Sequence, residues 1–439
     1  MADPAMSVTP YWELTFDADG DVQGRQRDRL LAEVPTSGVR DLVVFSHGWN
    51  NDRSIATRLY DRFFAPFPEL APNAEIGYVG VVWPSMRFSD EPIPDFPRVT
   101  EAGVAPRVGL DKETRHALLE TFPGRATVVE QIARMLEQQP SEDGALEEFG
   151  RLVRLLVDVV PPGPQALFTA DTLAEGVPQD EPEMFAGGTA AACEEFAAAL
   201  ALAQAPPGAE GFALPNPWDG AHELLRQGTY YAMKRRAGTV GERGLGRVVG
   251  QLAEAAPDVR VHLVGHSFGG RLVSFALRGL PEGVRTVKSV TLLQGAFSHY
   301  AFAARLPHDT RAGGVLQGQH NRVDGPVVCC YSSHDSALGT LYPLASRVAG
   351  DAQGLVGSFG VGNLLGAKWG AMGFDGVQAV PGTKAMKLAD ALRGPLPTSG
   401  CVNVDAAAVV RRGGPPAGAH SDIVHKELAQ LVLVAGRVG

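Results

Sequence analysis

The sequence GHSFGG, residues 265–270, has the residue types and spacing of a site for nucleophilic chemistry. It follows a β-branched run that predicts a strand and precedes a pattern that predicts a helix. A G-x-S-x-G motif in this context is typical of a tight turn that lifts a serine hydroxyl out of a sheet. The helix behind it directs free N–H groups and a positive dipole end to the same point. We therefore predict Ser267 as a nucleophile, the alternative being an ordinary glycine-rich turn.

A second motif, SHGWNN at residues 46–51, follows another short apolar run. Acyl transfer needs two N–H donors for the developing oxyanion, and one of them comes from the residue after the nucleophile, here Phe268. A loop after an earlier strand commonly gives the other donor, which we assign to the N–H of Trp49. In the alternative interpretation, Asn50 or Asn51 merely begins the next helix.

With these two motifs, the sequence resembles the α/β-hydrolase superfamily, and within it the serine esterases and lipases. The resemblance covers roughly residues 38–88 and 218–430 and leaves the segment between them unmatched. It implies a catalytic order of nucleophile, acid and base along the chain, and chemistry that needs no cofactor. The acid is then expected after the second strand beyond the elbow, and the base in a loop near the C-terminus.

Asp335 is the residue that matches the expected acid. It follows the apolar run 327–331, and open α/β sheets place catalytic groups at the carboxyl ends of their strands. Its expected role is to orient an imidazole and stabilise the imidazolium. Asp324 and Asp351 are the rival carboxylates, and a third alternative is that Asp335 only caps a helix near Leu341. We expect the neighbouring His334 to be a surface residue, or one that contacts the catalytic residues without taking part in the reaction.

His420 matches the expected base. It follows a predicted strand at residues 402–410 and precedes a helix predicted at residues 423–434. His425 is the second candidate, and a polar loop residue without a catalytic role is the plain alternative. A metal cluster of these histidines with Asp422 is disfavoured, because a spacing of five does not put both on one helical face. We predict neither a metal nor a cofactor.

The surrounding pattern predicts how these residues are positioned. Short apolar runs alternate with helical stretches, which favours an α/β fold with a doubly wound, mainly parallel sheet. We expect an edge strand at residues 11–16 and further strands near residues 42–45, 76–83, 259–264, 289–293, 327–331 and 401–410.

We divide the chain into residues 1–88 and 218–439, which form the core, and residues 89–217, an inserted helical unit. The segment lacks strand-like runs and contains several amphipathic helical patterns. We expect it to form a cap whose inner face lines the substrate pocket, with flexible junctions near residues 92–97 and 206–217. The alternative is a purely stabilising element.

Composition limits the function further. The 439 residues carry a net charge of −10, and without a basic run we expect neither nucleic acid nor an anionic membrane as partner. Four cysteines do not form a disulfide framework, and we expect Cys329 and Cys330 to be buried free thiols. We see no signal peptide or membrane span, so we expect a cytoplasmic protein.

The resulting prediction is a serine hydrolase that cleaves a small or lipid-like carboxylic ester through an acyl-enzyme. Thioester or amide hydrolysis and acyl transfer would use the same residues. The alternative of another class is a non-catalytic binding or interaction protein on the same fold.

Overall fold

A sheet of parallel strands forms the centre of the protein. The computed structural model describes residues 6–88, 109–158, 167–174, 177–178, 185, 187–204, 215–341, 370–414 and 418–439. The strands are β1 (Tyr11–Thr15), β2 (Asp41–Ser46), β3 (Ile76–Val82), β4 (Thr172–Ala174), β5 (Val177–Pro178), β6 (Arg260–His266), β7 (Val287–Leu293), β8 (Ala312–Gly314), β9 (Pro326–Tyr331), β10 (Lys384–Lys387) and β11 (Gly400–Asp405). Eight of them form the main sheet, in the order β1-β3-β2-β6-β7-β9-β11-β10. Each neighbouring pair in it is parallel. The predicted mainly parallel sheet with β1 at one edge is confirmed.

Helices occupy both faces of this sheet. They are α1 (Gly24–Glu33), α2 (Arg53–Phe64), α3 (Phe67–Leu70), α4 (Lys112–Thr121), α5 (Ala126–Gln138), α6 (Ala145–Val157), α7 (Thr189–Gln204), α8 (Pro217–Thr239), α9 (Gly246–Ala255), α10 (Phe268–Gly279), α11 (Met372–Asp375), α12 (Leu388–Ala391) and α13 (Lys426–Gly436). Successive residues of β2 point to opposite faces, because side chains alternate along a strand. Leu42 and Val44 therefore belong to one buried cluster, whereas Val43 and Phe45 belong to the other. Burial on both faces explains the continuous apolar runs, and the α/β class is confirmed.

Several boundaries differ from the prediction by a few residues; α13, for example, begins at Lys426 rather than at residue 423. Strand β11 ends at Asp405 rather than near residue 410, because the chain turns and the Ala406 N–H donates to the carbonyl of Tyr331, 2.9 Å away. The sequence indicates two separate helices at residues 220–237 and 243–256, but the structure has one continuous helical path there, since a π-helical turn (Val240–Leu245) joins α8 to α9. Gly241 in this turn packs directly on α10: a Cβ there would lie 2.2 Å from the Leu272 carbonyl oxygen.

The segment predicted as the insertion is mainly helical where it is described. Helices α4–α7 lie in it, and the ring of Phe149 in α6 is 5.8 Å from that of Trp218 in α8. A small antiparallel sheet, β5-β4-β8, was not predicted; it joins β4 to a strand of the C-terminal part. The predicted junction at residues 92–97 lies outside the described residues. Residues 206–214 of the other predicted junction, at residues 206–217, also lie outside them. The proposed division into core and cap stays a prediction.

A buried ionic cluster connects this segment to α8 and α10. Arg271 is fully buried, pairs with Asp171 and donates three hydrogen bonds of 2.9–3.1 Å to the carbonyls of residues 168–170. The Lys234 ammonium lies 2.7 Å from the second oxygen of Asp171. Burial lowers the pKa of Lys234, and the attraction of Asp171 opposes this shift. A charged cluster of this kind is stable only while all its partners remain in place.

Two further expectations concern thiols and membranes. All four cysteines are buried and free, as expected for Cys329 and Cys330. Within the described ranges, no helix has both the length and the apolar character required to cross a bilayer.

Candidate active site

Ser267 occupies a strained turn between β6 and α10. Its φ of 55° and ψ of −120° lie in a region that residues with a side chain rarely adopt. Its N–H donates to the Leu293 carbonyl at 3.0 Å, and its own carbonyl accepts from Gly270 at 3.0 Å. The surrounding backbone therefore fixes the conformation, and the side chain projects from the carboxyl end of a central strand. This is the geometry that the glycine-rich motif predicts.

The structure brings the three predicted catalytic side chains together. His420 Nε2 lies 2.9 Å from Ser267 Oγ, and His420 Nδ1 lies 2.8 Å from Asp335 Oδ2. Asp335 is fully buried, and its other oxygen, Oδ1, accepts the Leu338 N–H at 3.0 Å. Asp335 therefore caps the turn at Ala337–Leu341 through Oδ1 and contacts the imidazole through Oδ2. Capping is not its only contact.

Two hydrogen bonds position the loop that carries His420. The Ala419 N–H donates to the carbonyl of His334 at 2.9 Å. This bond joins the loop that carries His420 to the loop that carries Asp335. His266 Nε2 lies 2.9 Å from the carbonyl oxygen of His420 and must be the protonated nitrogen of its ring. Burial, with a smaller contribution from nearby His420, lowers the pKa of His266 to about 3, so the ring is neutral at pH 7. The side chain of His334 is exposed, as expected for a surface residue.

The rival residues lie elsewhere or outside the described residues. Asp324 precedes β9 and pairs at 2.6 Å with Lys288, with 60% of its side chain exposed. Asp351 lies outside the described residues. His425 lies 2.9 Å from Asp422 instead of joining the serine. No group of three or more potential ligands able to hold a metal occurs among the residues that the structure describes.

The second predicted motif lies directly against Ser267. A Cβ built on Gly48 would be only 2.7 Å from the Cβ of Ser267, so the backbone of this loop passes very close to the serine. Trp49 is the next residue, and Phe268 opens α10 on the other side of the serine. Within the described ranges, neither the Trp49 N–H nor the Phe268 N–H donates a hydrogen bond. Both are therefore available as the donors predicted for an oxyanion.

A buried histidine holds this loop in place. The ring of His47 stacks on Trp83 at 5.4 Å, with an interplanar angle of 10°. Its Nδ1 lies 2.8 Å from the Gly48 carbonyl, and its Nε2 accepts the Trp83 N–H at 3.3 Å. Burial lowers the pKa of His47 to about 4, which agrees with a neutral ring that donates from Nδ1. The His47 N–H donates to the Tyr60 hydroxyl at 2.9 Å.

The two asparagines support the loop rather than cap a helix. The Asn51 amide donates to the Trp49 carbonyl at 2.9 Å, and Asn50, at φ 64°, accepts the Phe88 N–H at 2.8 Å. The residue that caps α2 is Asp52, whose side chain accepts the N–H of Ile55. The alternative interpretation of the asparagines as the start of a helix was therefore wrong.

A cluster of aromatic rings beside Ser267, the aromatic wall of Trp49, Tyr230 and Phe268, was not predicted from the sequence. The ring of Tyr230, from the middle of α8, lies 4.4 Å from that of Phe268 and 5.3 Å from that of Trp49. The ring of Phe88 lies 6.0 Å from that of Trp49. The Tyr230 hydroxyl donates to the Ala296 carbonyl at 3.3 Å, and burial raises its pKa well above the ordinary value. Nothing in the sequence marks Tyr230, because no motif includes it.

A second Ser-His-Asp chain lies near the amino ends of the central strands β2, β6 and β7. His262 Nδ1 is 2.9 Å from Ser289 Oγ, and Nε2 is 2.8 Å from Asp41 Oδ1. Ser289 and His262 are fully buried, and burial lowers the pKa of His262. Asp41 begins β2, so this chain lies toward the amino ends of the strands, away from Ser267. It is a buried structural network rather than a second reactive site.

The molecule is thus an α/β protein with a Ser-His-Asp chain at the carboxyl edge of its central sheet. No family model, no curated protein and no solved structure matches this chain. The function is therefore inferred from the geometry of the site.

Proposed function

We propose that the protein is a serine hydrolase with an α/β-hydrolase fold, and that it cleaves a carboxylic ester through an acyl-enzyme. The observation that carries this proposal is the continuous hydrogen-bonded chain from Ser267 through His420 to Asp335. Its members follow β6, β11 and β9, whose carboxyl ends meet at one edge of the sheet.

Each residue has a defined role in this reaction. Ser267 Oγ attacks the carbonyl carbon while His420 Nε2 accepts its proton, and Asp335 stabilises the imidazolium through Nδ1–H. The N–H groups of Phe268 and Trp49 bind the oxyanion. The C–O bond to the alcohol breaks as His420 returns the proton to the leaving oxygen. Water, deprotonated by the same imidazole, then hydrolyses the acyl-enzyme.

The aromatic wall indicates the side of the site on which an apolar group binds. Trp49, Tyr230 and Phe268 lie in contact beside the serine, and such surfaces favour apolar acyl chains. The helical segment at residues 89–217 would act as the cap through α8, because α6 packs on α8 and Tyr230 projects from that helix. Thioesters, amides and alternative acyl acceptors would use the same three catalytic residues.

Covalent labelling tests the proposal. A fluorophosphonate should modify the wild-type protein once, at Ser267, and the Ser267→Ala variant should not react. Ser289→Ala is the matched control: it removes the serine of the other Ser-His-Asp chain and should be labelled at the wild-type rate. Because the residues of a triad act as a unit, His420→Ala should slow labelling by several orders of magnitude. Undiminished labelling of Ser267→Ala would refute the assignment.

A substrate series then identifies the reaction class. Nitrophenyl esters of increasing chain length, lactones and thioesters should be assayed with wild-type protein and with Ser267→Ala. We expect ester turnover that depends on Ser267 and rises with acyl chain length. Labelling without turnover of any ester, thioester or amide would favour the non-catalytic alternative.

A further inference from the structure

A cleft lined by four arginines lies at the junction of helices α4, α6 and α8. Its volume is about 430 Å³, which is large enough for a small organic molecule. The charged residues of its lining are Arg125, Arg235, Arg236, Arg243, Asp19 and Asp158. They give it a formal charge of +2, in a chain whose net charge is −10. Local positive charge in such a chain requires a specific explanation.

Helix capping explains part of this arrangement. Arg235 donates to the carbonyls of Asp158 and Val157 at the C-terminus of α6, at 2.6 and 3.3 Å. Arg236 donates to the carbonyls of Thr121, at the C-terminus of α4, and Pro84, at 3.1 and 2.8 Å. Cations at helix C-termini are stabilising. These acceptors are neutral, however, so they satisfy hydrogen bonds without neutralising the two guanidinium charges.

The other two arginines of the cleft, Arg243 and Arg125, make fewer or longer contacts with the protein. Arg243 is exposed and lies 4.8 Å over the ring of Phe168, and among the described residues it makes no hydrogen bond or ion pair. Arg125 reaches only to 3.9 Å from a carboxylate oxygen of Asp158, and 69% of that aspartate side chain is exposed. Burial and the neighbouring Arg235 lower the pKa of Arg236 to about 10, and the attraction of Asp19 opposes this shift only in part.

We propose that this cleft binds a phosphorylated small molecule, whose phosphate group is held by the guanidinium groups of Arg235, Arg236 and Arg243. Planar guanidinium forks bind phosphate oxygens in pairs, and each of these arginines retains donors that the carbonyl contacts do not use. A bound dianion would balance the excess positive charge of the lining. The ring of Phe168 offers an apolar surface to the rest of the ligand. The site is separate from Ser267 and does not depend on the proposed hydrolase activity.

The test measures binding of pyrophosphate, phenyl phosphate and succinate by isothermal titration calorimetry at constant ionic strength. We expect saturable binding of the two phosphates with a Kd below about 1 mM. Succinate carries similar charge without phosphate geometry and should bind at least tenfold more weakly. Equal binding of succinate would refute recognition of phosphate.

Two exposed arginines provide the variants. Arg243→Gln removes a guanidinium that makes no hydrogen bond in the described structure, so the fold should persist, which circular dichroism would verify. It should weaken pyrophosphate binding about tenfold, the effect of one charge-assisted contact. Arg247→Gln, an exposed residue outside the cleft, is the matched control and should bind as wild type.

Three results would overturn the proposal. The first is absence of saturable binding by either phosphate. The second is equal weakening in Arg243→Gln and Arg247→Gln, because that would indicate non-specific attraction. The third is binding that persists in Arg243→Gln but disappears after Ser267 has been phosphonylated, because this would assign the anion to the catalytic centre.

Discussion

Gly48 offers the sharpest test of the oxyanion arrangement. In Gly48→Ala, the new Cβ would meet the Ser267 Cβ at 2.7 Å, His266 Nδ1 at 3.0 Å and the His266 carbonyl oxygen at 3.2 Å. Ordinary carbon–carbon contacts are about 3.5–4.0 Å, so the loop or the serine must move by about 1 Å. Ser267 is fixed by backbone hydrogen bonds on both sides, and we therefore expect the loop to move.

That displacement should remove one oxyanion donor. Trp49 follows Gly48 directly, so its N–H would shift by a similar distance, whereas useful donors lie about 2.7–3.1 Å from the oxyanion. Loss of one donor lowers kcat by roughly 10²–10³-fold. The crowding itself should reduce the free energy of unfolding by about 1–3 kcal/mol. The catalytic loss should therefore be much larger than any loss of folded protein at 25 °C.

The assay compares kcat for the best nitrophenyl ester with the urea unfolding curve of the same preparation. Gly24→Ala is the matched control, because its Cβ would meet nothing closer than 3.9 Å, and it should retain wild-type kcat. Wild-type kcat and stability in Gly48→Ala would refute the close approach. Reduced stability with unchanged kcat would mean that Gly48 serves packing alone and that Trp49 gives no oxyanion donor.

Two further predictions concern the acid and the buried histidines. Asp335→Asn should fold normally but lose about 10⁴-fold in kcat, because an amide favours the wrong imidazole tautomer; a near wild-type kcat would contradict this role. The pKa values of His47 and His266 fall from 6.5 to about 4 and about 3 on folding, so below pH 6.5 the unfolded chain binds more protons. The free energy of unfolding should therefore decrease on acidification, by about 1.4 kcal/mol per pH unit per histidine between pH 6 and 4.5. Urea titrations should give a slope smaller by that amount in His266→Asn, and an unchanged slope would exclude the buried neutral ring.

Short-range patterns predicted most of the central sheet. A continuous apolar run between turn residues has few alternatives to a buried strand, so β2, β3, β6, β7 and β9 were found near their true positions. The three catalytic candidates were found because each follows such a run. The resemblance then gave their order along the chain, which spacing alone does not, since His420 is 153 residues from Ser267.

Features that depend on long-range packing were not predictable. Tyr230 belongs to the site only because α8 crosses α10 at Phe268, and helical periodicity does not indicate which helices cross. The π-helical turn depends on the approach of Gly241 to Leu272, a contact between residues far apart in sequence. The second Ser-His-Asp chain also shows the limit of residue types: its residues match a triad, and only their burial together with their place toward the amino ends of the strands distinguishes it.

The buried guanidinium of Arg271 has a consequence for how this architecture can change over time. Its carboxylate partner and three of its carbonyl partners come from residues 168–171, while Arg271 itself lies one turn beyond Ser267. Breaking a buried pair by removing one partner costs about 3–5 kcal/mol, comparable to much of a domain's total stability. A homologue that loses this segment must also replace Arg271 with an apolar residue. Substitutions at positions 171, 234 and 271 are therefore expected to co-vary, and a graft of this segment into another scaffold must bring all three.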